Sequence, residues 1–480
     1  MASAGLKIVR RNFLKIGAAG AIVPANFASA GDRQPSAGPF DAVKDSPDYL
    51  AAAKEAARWI RSAESRTDGG GYWLPDPDHP EKTATVSLPN GFYSGGAGIV
   101  LFFLQLADAT GDDSYIEDAK RGGDYLVRSW RESMASNPAQ LSYYSGLAGT
   151  MFGLIELWKA IRAPSYRDAA LQAAKALISA ARPMGVGIEW GGPCGMSGDA
   201  GTLLCLLHLL DTWGDRSVRD AAIGAGARLI ERAEPDPRGG LRWQGFPPAL
   251  MGAPEGTYWP NFQLGTSGVA FALARLAHRT NDPRFLAAAK AGALNLERIA
   301  AVEGDAALVP YREPDPSPIY YLGYCGGPAG TARLFYELYR ITKEDHYLAW
   351  TERLARGIME SGIPEHQTPG FWNVACQCCG SAGISDFFLG LWTATKRPEY
   401  LAFARRVGSQ LLSRAVDLDG KGYRWYQAYT RVKPWEVTAE TGYMIGAAGI
   451  GASFVHLHLA EQGRYRMPAF PDNPFPTSSA

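Results

Sequence analysis

Tyr324-Cys325-Gly326-Gly327-Pro328-Ala329-Gly330 and Cys378-Cys379-Gly380-Ser381-Ala382-Gly383 are two copies of one turn. In each, cysteine precedes a Gly-x-x-Gly step: Cys325 and Cys378 lie two residues before its first glycine, and Cys379 lies one before. The step recurs with first glycines Gly95, Gly146, Gly198, Gly265, Gly327, Gly380 and Gly446. Each opens an apolar segment of helix length, such as Ile99 to Leu106, Met151 to Trp158 or Ile450 to Leu459. These segments are hydrophobic on most faces, as a helix enclosed by other helices must be.

A second motif alternates with the first. A large apolar residue followed by alanines starts a more charged helix at Tyr49, Tyr115, Tyr166, Val218, Phe285, Tyr347 and Tyr400. Charge confined to one side, as in Tyr400-Leu401-Ala402-Phe403-Ala404-Arg405-Arg406, marks an outer helix. Seven outer and seven inner helices at periods of about 50 to 67 residues predict stacked helical hairpins. Because the inner helices are almost wholly apolar and no repeat is a polar cap, the array should close on itself. The expected fold is all-α, an α/α toroid of seven hairpins over residues 45–462, with the glycine steps at the inner-helix N-termini. A linker, 31–44, precedes it and a Pro-rich tail, 463–480, follows.

Between the helices of a pair, the loops often carry glycine and then tryptophan, as in Gly71-Tyr72-Trp73, Gly187-Ile188-Glu189-Trp190, Gly240-Leu241-Arg242-Trp243, Gly370-Phe371-Trp372 and Gly422-Tyr423-Arg424-Trp425. Short β-hairpins fit them. The tryptophans either pack over the inner helices or line a cavity mouth and stack on a substrate.

The 480 residues are 46% hydrophobic and 20% charged, the balance of a soluble globular chain. Lys+Arg and Asp+Glu are both 48, so no net basic charge recommends a nucleic-acid partner. The N-terminus reads as a twin-arginine signal: Arg10-Arg11-Asn12-Phe13-Leu14-Lys15, a weakly apolar run from Ile16 to Phe27, then Ala28-Ser29-Ala30 with cleavage expected after Ala30. That run is too short to span a bilayer, which takes about 20 residues. The expectation is an exported, periplasmic or extracytoplasmic protein, not an integral membrane one.

Six cysteines in an exported chain invite disulfides, but a bridge between neighbours Cys378 and Cys379 would be strained, and a core this size needs no staples. Helix N-termini favour thiolates. Three of them beside an open position is the donor pattern of a catalytic zinc; a structural zinc would need a fourth ligand, for which Cys376 and His366 are nearest. Zn2+ held by Cys325, Cys378 and Cys379 is therefore the expected cofactor.

These turns resemble those of the lanthionine synthetase C-like family, cyclases of lanthipeptide biosynthesis and their relatives. Gly323-Tyr324-Cys325-Gly326-Gly327-Pro328-Ala329-Gly330 looks like the family's Gly-Trp-Cys-Tyr-Gly-x-Pro-Gly, and Cys378-Cys379-Gly380-Ser381-Ala382-Gly383 like its Cys-His-Gly-x-x-Gly. The resemblance implies the same zinc ligands and the addition of a thiol to a dehydroalanine or dehydrobutyrine, with a peptide or small-molecule thiol as substrate. Cys379 replaces the usual third-ligand histidine. A divalent ion with three thiolates carries one net negative charge, which leaves a bound substrate thiolate more nucleophilic and bound water less acidic. The family's acid/base histidine has Leu264 in its place, and its catalytic aspartate has no match at Gly195-Met196-Ser197.

The proton donor is thus unnamed by sequence. His366, Tyr324 and Glu440 are the candidates, with Glu436 near the last glycine step; His208, His278 and His456 fall near the far ends of inner helices and read as structural. Two alternatives compete: a glycan-processing toroid using carboxylates such as Asp199, Glu255 and Glu440, and a zinc-bearing binding protein without catalysis.

Overall fold

The structure, a computed structural model, describes residues 47–80, 90–134, 138–428 and 430–477. The signal-like segment lies outside them. Fourteen α-helices dominate the described residues: α1 Tyr49–Ser62, α2 Gly96–Thr110, α3 Asp113–Ser129, α4 Leu147–Ile161, α5 Pro164–Ser179, α6 Asp199–Trp213, α7 Arg216–Glu231, α8 Thr266–Thr280, α9 Pro283–Ile299, α10 Pro328–Thr342, α11 Asp345–Met359, α12 Ser381–Thr395, α13 Pro398–Ser413 and α14 Ala447–Glu461. The even-numbered helices form the inner ring and the odd-numbered ones the outer. On α13 the buried residues are Tyr400, Phe403, Ala404, Val407, Gly408 and Leu411, one stripe at helical spacing. On α14 every residue from Ala447 to Leu457 is buried. None of the described helices is long and apolar enough to cross a membrane.

The hairpins are cut differently from the sequence reading, which paired each outer helix with the inner helix after it. The tight pairs run inner to outer, through links of two residues such as Gly111-Asp112, Asn281-Asp282 and Lys396-Arg397. The first link residue is left-handed in most of them, even where it is Arg162, Asn281, Lys343 or Lys396. So short a reversal leaves the next helix nowhere but antiparallel beside its predecessor. The seventh pair joins the first and last described helices: α14 packs on α1 and on α2, closing the ring. Tyr49 seals the seam, stacking on Phe454 at 5.8 Å and donating to the Arg405 carbonyl at 3.0 Å.

The tryptophans of the loops take the packing role. Trp73, Trp190, Trp243, Trp372 and Trp425 are all buried. The indole N–H groups of Trp190, Trp243 and Trp425 donate to the carbonyls of Leu177, Leu229 and Leu411, near the ends of the preceding outer helices.

In the second to seventh steps both glycines are required by space, and in the first step Gly98 is. A Cβ on Gly327 or Gly330 would overlap the carbonyl oxygen of Tyr321 or Tyr324, the residue six positions earlier. The same pairing holds for Gly380 with Val374, Gly383 with Gln377, Gly446 with Glu440 and Gly449 with Tyr443. The third turn is one residue shorter, the opposing carbonyls being those of Pro193 and Met196.

The Pro-rich C-terminal segment returns into the middle of the ring. Phe470 meets Phe92, Phe152 and Tyr443 edge-on at 5.5–5.7 Å, and Phe475 lies 4.7 Å from Tyr336. Asp472 between them is buried and accepts from Tyr324, while Arg333 donates to its carbonyl at 3.1 Å.

Gly330→Ala should cost about 1–3 kcal/mol through overpacking, and Phe475→Ala about 3–5 kcal/mol through the cavity it leaves. Urea unfolding midpoints of the two variants check both, and an unchanged midpoint for Phe475→Ala would remove the segment from the core.

Candidate metal centre

The three residues before each N-cap glycine have separate duties. The third before it is aromatic in five repeats, Phe92, Tyr143, Phe262, Tyr324 and Tyr443, and packs in the toroid's interior, with Phe92 5.1 Å from Tyr143 and Phe262 5.2 Å from Tyr324. The second before it joins a chain of backbone hydrogen bonds around the ring. Gln263 N–H donates to the Cys325 carbonyl and Cys325 N–H to Cys378, both at 2.9 Å. Cys378 then donates to Met444, Met444 to Tyr93 and Tyr93 to Tyr144, each at 2.8 Å. The chain opens at the short third turn, where Gly195 N–H donates instead to Gly245 of a long loop. The residue directly before the glycine lines a cavity of about 1120 Å³ at this end of the toroid, as do Ser145, Ser197, Leu264 and Cys379.

Two further contacts bring the cysteine turns together. Tyr320–Tyr321 and Phe371–Trp372 pair as short parallel strands, and Leu322 N–H donates to Trp372 at 3.1 Å. The Sγ atoms of Cys325, Cys378 and Cys379 consequently lie within 4.8 Å of one another, with Cys325 to Cys379 at 3.1 Å and Cys379 to Cys378 at 3.7 Å. No disulfide links any cysteine. Around a tetrahedral zinc with 2.3 Å bonds, sulfurs sit about 3.8 Å apart, so this donor set fits that ion. Burial pushes the Cys378 thiol well above its ordinary value. A cation is what would make three thiolates stable here. Cys376 lines the same cavity, but its sulfur accepts the Cys379 N–H at 3.4 Å and stands outside the group of three.

Gln263 escaped the sequence reading. Its Oε1 accepts from the Cys378 thiol at 3.1 Å and its Nε2 donates to Ser197 at 3.2 Å. The available signal was register: Gln263 holds the slot that Cys325 and Cys378 hold in their own repeats. Tyr311 and Tyr321, stacked at 3.9 Å, wall the cavity beside Cys325 and Cys379.

The sequence's proton-donor candidates do not line this cavity. Tyr324 is turned to the interior, bonded to Tyr144 and Asp472. His366 is on an exposed turn, its N–H on Gly362 at 3.0 Å. Glu436 is exposed and paired with Lys433. His208 and His456 are held by Glu156 and Asp386 at 2.7 and 2.9 Å, as structural histidines would be. Among the described residues the lining holds no aspartate, glutamate or histidine, so the carboxylate pair of glycoside hydrolysis is not found there. Asp199 is buried against Arg232, and Glu255 is exposed. Burial, with Asp76 and Cys376 adding to it, raises the Glu440 carboxyl from 4.5 to about 8. Folded protein then binds a proton that unfolded chain has released. This contribution is full below pH 4.5 and is lost as pH rises through about 8. Glu440→Gln should flatten that fall, seen as a smaller drop in melting temperature between those pH values than in the parent protein.

Comparison with known proteins bears on the fold and on the family. Among solved structures, nisin cyclase superposes with a TM-score of 0.60 at 15% identity, over 85% of this chain and 94% of its own. The Lin0763 protein from Listeria innocua gives 0.47 at 14% identity, over 88% and 99%. The unsaturated glucuronyl hydrolase from Bacillus sp. GL1 gives 0.46 at 16%, over 87% and 97%. No curated protein matches the sequence. The sequence profile of the lanthionine synthetase C-like proteins matches residues 86–470, and with them all seven glycine steps and all three clustered thiols: the chain belongs to that family.

Proposed function

We propose that this is an exported, zinc-bearing member of the family that activates a thiol for addition to a dehydroamino acid or a similar electrophile. One observation carries the reading: three thiols on two repeats converge at a cavity whose described lining offers no other metal-ligating side chain except Cys376. Export rests on the Arg10-Arg11 segment and Ala28-Ser29-Ala30.

Cys325, Cys378 and Cys379 would hold the ion, and bound zinc would supply a Lewis-acidic centre that keeps a substrate thiol deprotonated near neutral pH. The thiolate sulfur bonds to the β-carbon of the alkene while the π pair shifts toward the α-carbon and its carbonyl. A proton added at the α-carbon completes addition of S–H across the double bond. Gln263 fixes the Cys378 side chain, and the Tyr311–Tyr321 wall keeps water from one side of the cluster. With Leu264 in the slot of the family's histidine, the protonating group is not one of the lining's carboxylates or imidazoles, since it has none among the described residues. That same observation favours one second reading, a binder that holds zinc and thiol without catalysis.

Purified protein should contain about one zinc per chain. Cys325→Ala should weaken zinc binding by more than the about 10–100-fold that loss of an outer-shell partner costs. Zinc-free protein from chelator-free purification would sink the reading. Given zinc, a dehydroalanine peptide and a thiol should form thioether faster than in the Cys378→Ala control; equal rates would leave the binder.

A further inference from the structure

In a chain with as many acidic as basic residues, the thiol cavity is one-sided in charge. Arg232, Arg312 and Arg431 line it, and no carboxylate does among the described residues. Arg232 and Arg312 have partners behind the wall, Asp199 at 3.3 Å and Asp315 at 3.1 Å. Burial raises the Asp199 carboxyl to about 7, so near neutrality it compensates Arg232 only in part. Arg431 forms no ion pair among the described residues, and its field reaches Tyr321 beside the cysteines. The charge is therefore presented to whatever enters.

The rim is apolar. Leu250 and Val432, from two loops at the cavity's edge, are 70% and 68% exposed, and Met251 beside Leu250 is 44% exposed. The cavity's 1120 Å³ exceeds the about 300–1,000 Å³ usual for small-molecule sites. Volume, charge and rim together describe an extended occupant with carboxylates near its middle and apolar side chains toward its edge.

We propose that the cavity takes an acidic peptide whose carboxylates meet Arg431, Arg312 and Arg232 while an apolar side chain lies on Leu250 or Val432. Which of its residues reacts rests on the thiol-addition reading above; the binding preference does not. Charge complementarity of this kind steers encounter as well as affinity, and salt weakens it.

The test uses the full chain loaded with zinc and three fluorescein-labelled peptides, Leu-Asp-Cys-Asp-Leu and its Asn and Lys counterparts at the aspartate positions. Anisotropy titrations should show the acidic peptide bound at least about tenfold more tightly than the lysine one, with the advantage shrinking at high salt. Arg431→Gln, which removes no described ion pair, should reduce the advantage and Arg431→Lys should restore it. Val432→Ser should weaken all three peptides alike. Equal affinities, a preference for lysine, or an acidic preference untouched by Arg431→Gln combined with Arg312→Gln would overturn the proposal. So would mercaptosuccinate competing as well as the unlabelled acidic peptide, which would make the occupant a small molecule. Zinc content, and thioether formation once the dehydroalanine peptide of the preceding section is added as electrophile, are measured on the same samples and separate the two claims. Thioether formed without charge preference defeats only the acidic-peptide site, and acidic preference in a protein that binds no zinc defeats only the zinc reading.

Discussion

The backbone hydrogen bonds that run from Gln263 through Cys325, Cys378, Met444 and Tyr93 to Tyr144 hold this end of the molecule together. Helices alone fix the ring only to the tolerance of side-chain packing. The bonds between turns bring neighbouring N-termini into register, and register is what a metal centre needs, since ligand sulfurs must agree in position to a few tenths of an ångström. The double glycine of each step serves the same end. Removing two side chains lets the turn's carbonyls rest directly on the helix start, so the turn folds tightly enough for its neighbours to reach it.

The interior and the cavity are two sides of that layer of turns. Residues alternate between them: Tyr324 faces the aromatic interior, and Cys325 faces the cavity. The C-terminal segment fills the interior, with Asp472 accepting from the tyrosine next to the first cysteine. The floor of the candidate centre is therefore supported from below by the segment from Phe470 to Phe475. The opposite side is shaped by the third repeat, whose shorter turn breaks the hydrogen-bonded chain and gives way to the loop that carries Leu250 and Met251.

Much of this was legible in the sequence, because a repeat makes position meaningful. Seven glycine steps imply the toroid, and the shared offset of Cys325 and Cys378 places them side by side. What escaped reading was what the repeat does not spell out. The inner-to-outer links look like ordinary surface residues, so the true pairing of helices was hidden in which two-residue link is short enough to force adjacency. Tyr324 is a candidate donor by its place beside Cys325, yet its offset is aromatic in five repeats, which is the mark of a core position. Gln263 carries no signature, and the arginines of the cavity, Arg232 just beyond an outer helix and Arg312 and Arg431 in two loops, are remote from one another in sequence. The Pro-rich ending gave no periodicity from which to read burial, yet its Phe470 and Phe475 are the anchors.

The account turns on three sulfurs from two turns sharing one ion. X-ray absorption at the zinc edge of the purified protein reads that directly. It should fit three sulfur neighbours at about 2.3 Å with one lighter scatterer completing the shell. Four sulfurs would bring Cys376 into a closed structural site, and a shell dominated by nitrogen or oxygen would contradict the three-thiol centre itself.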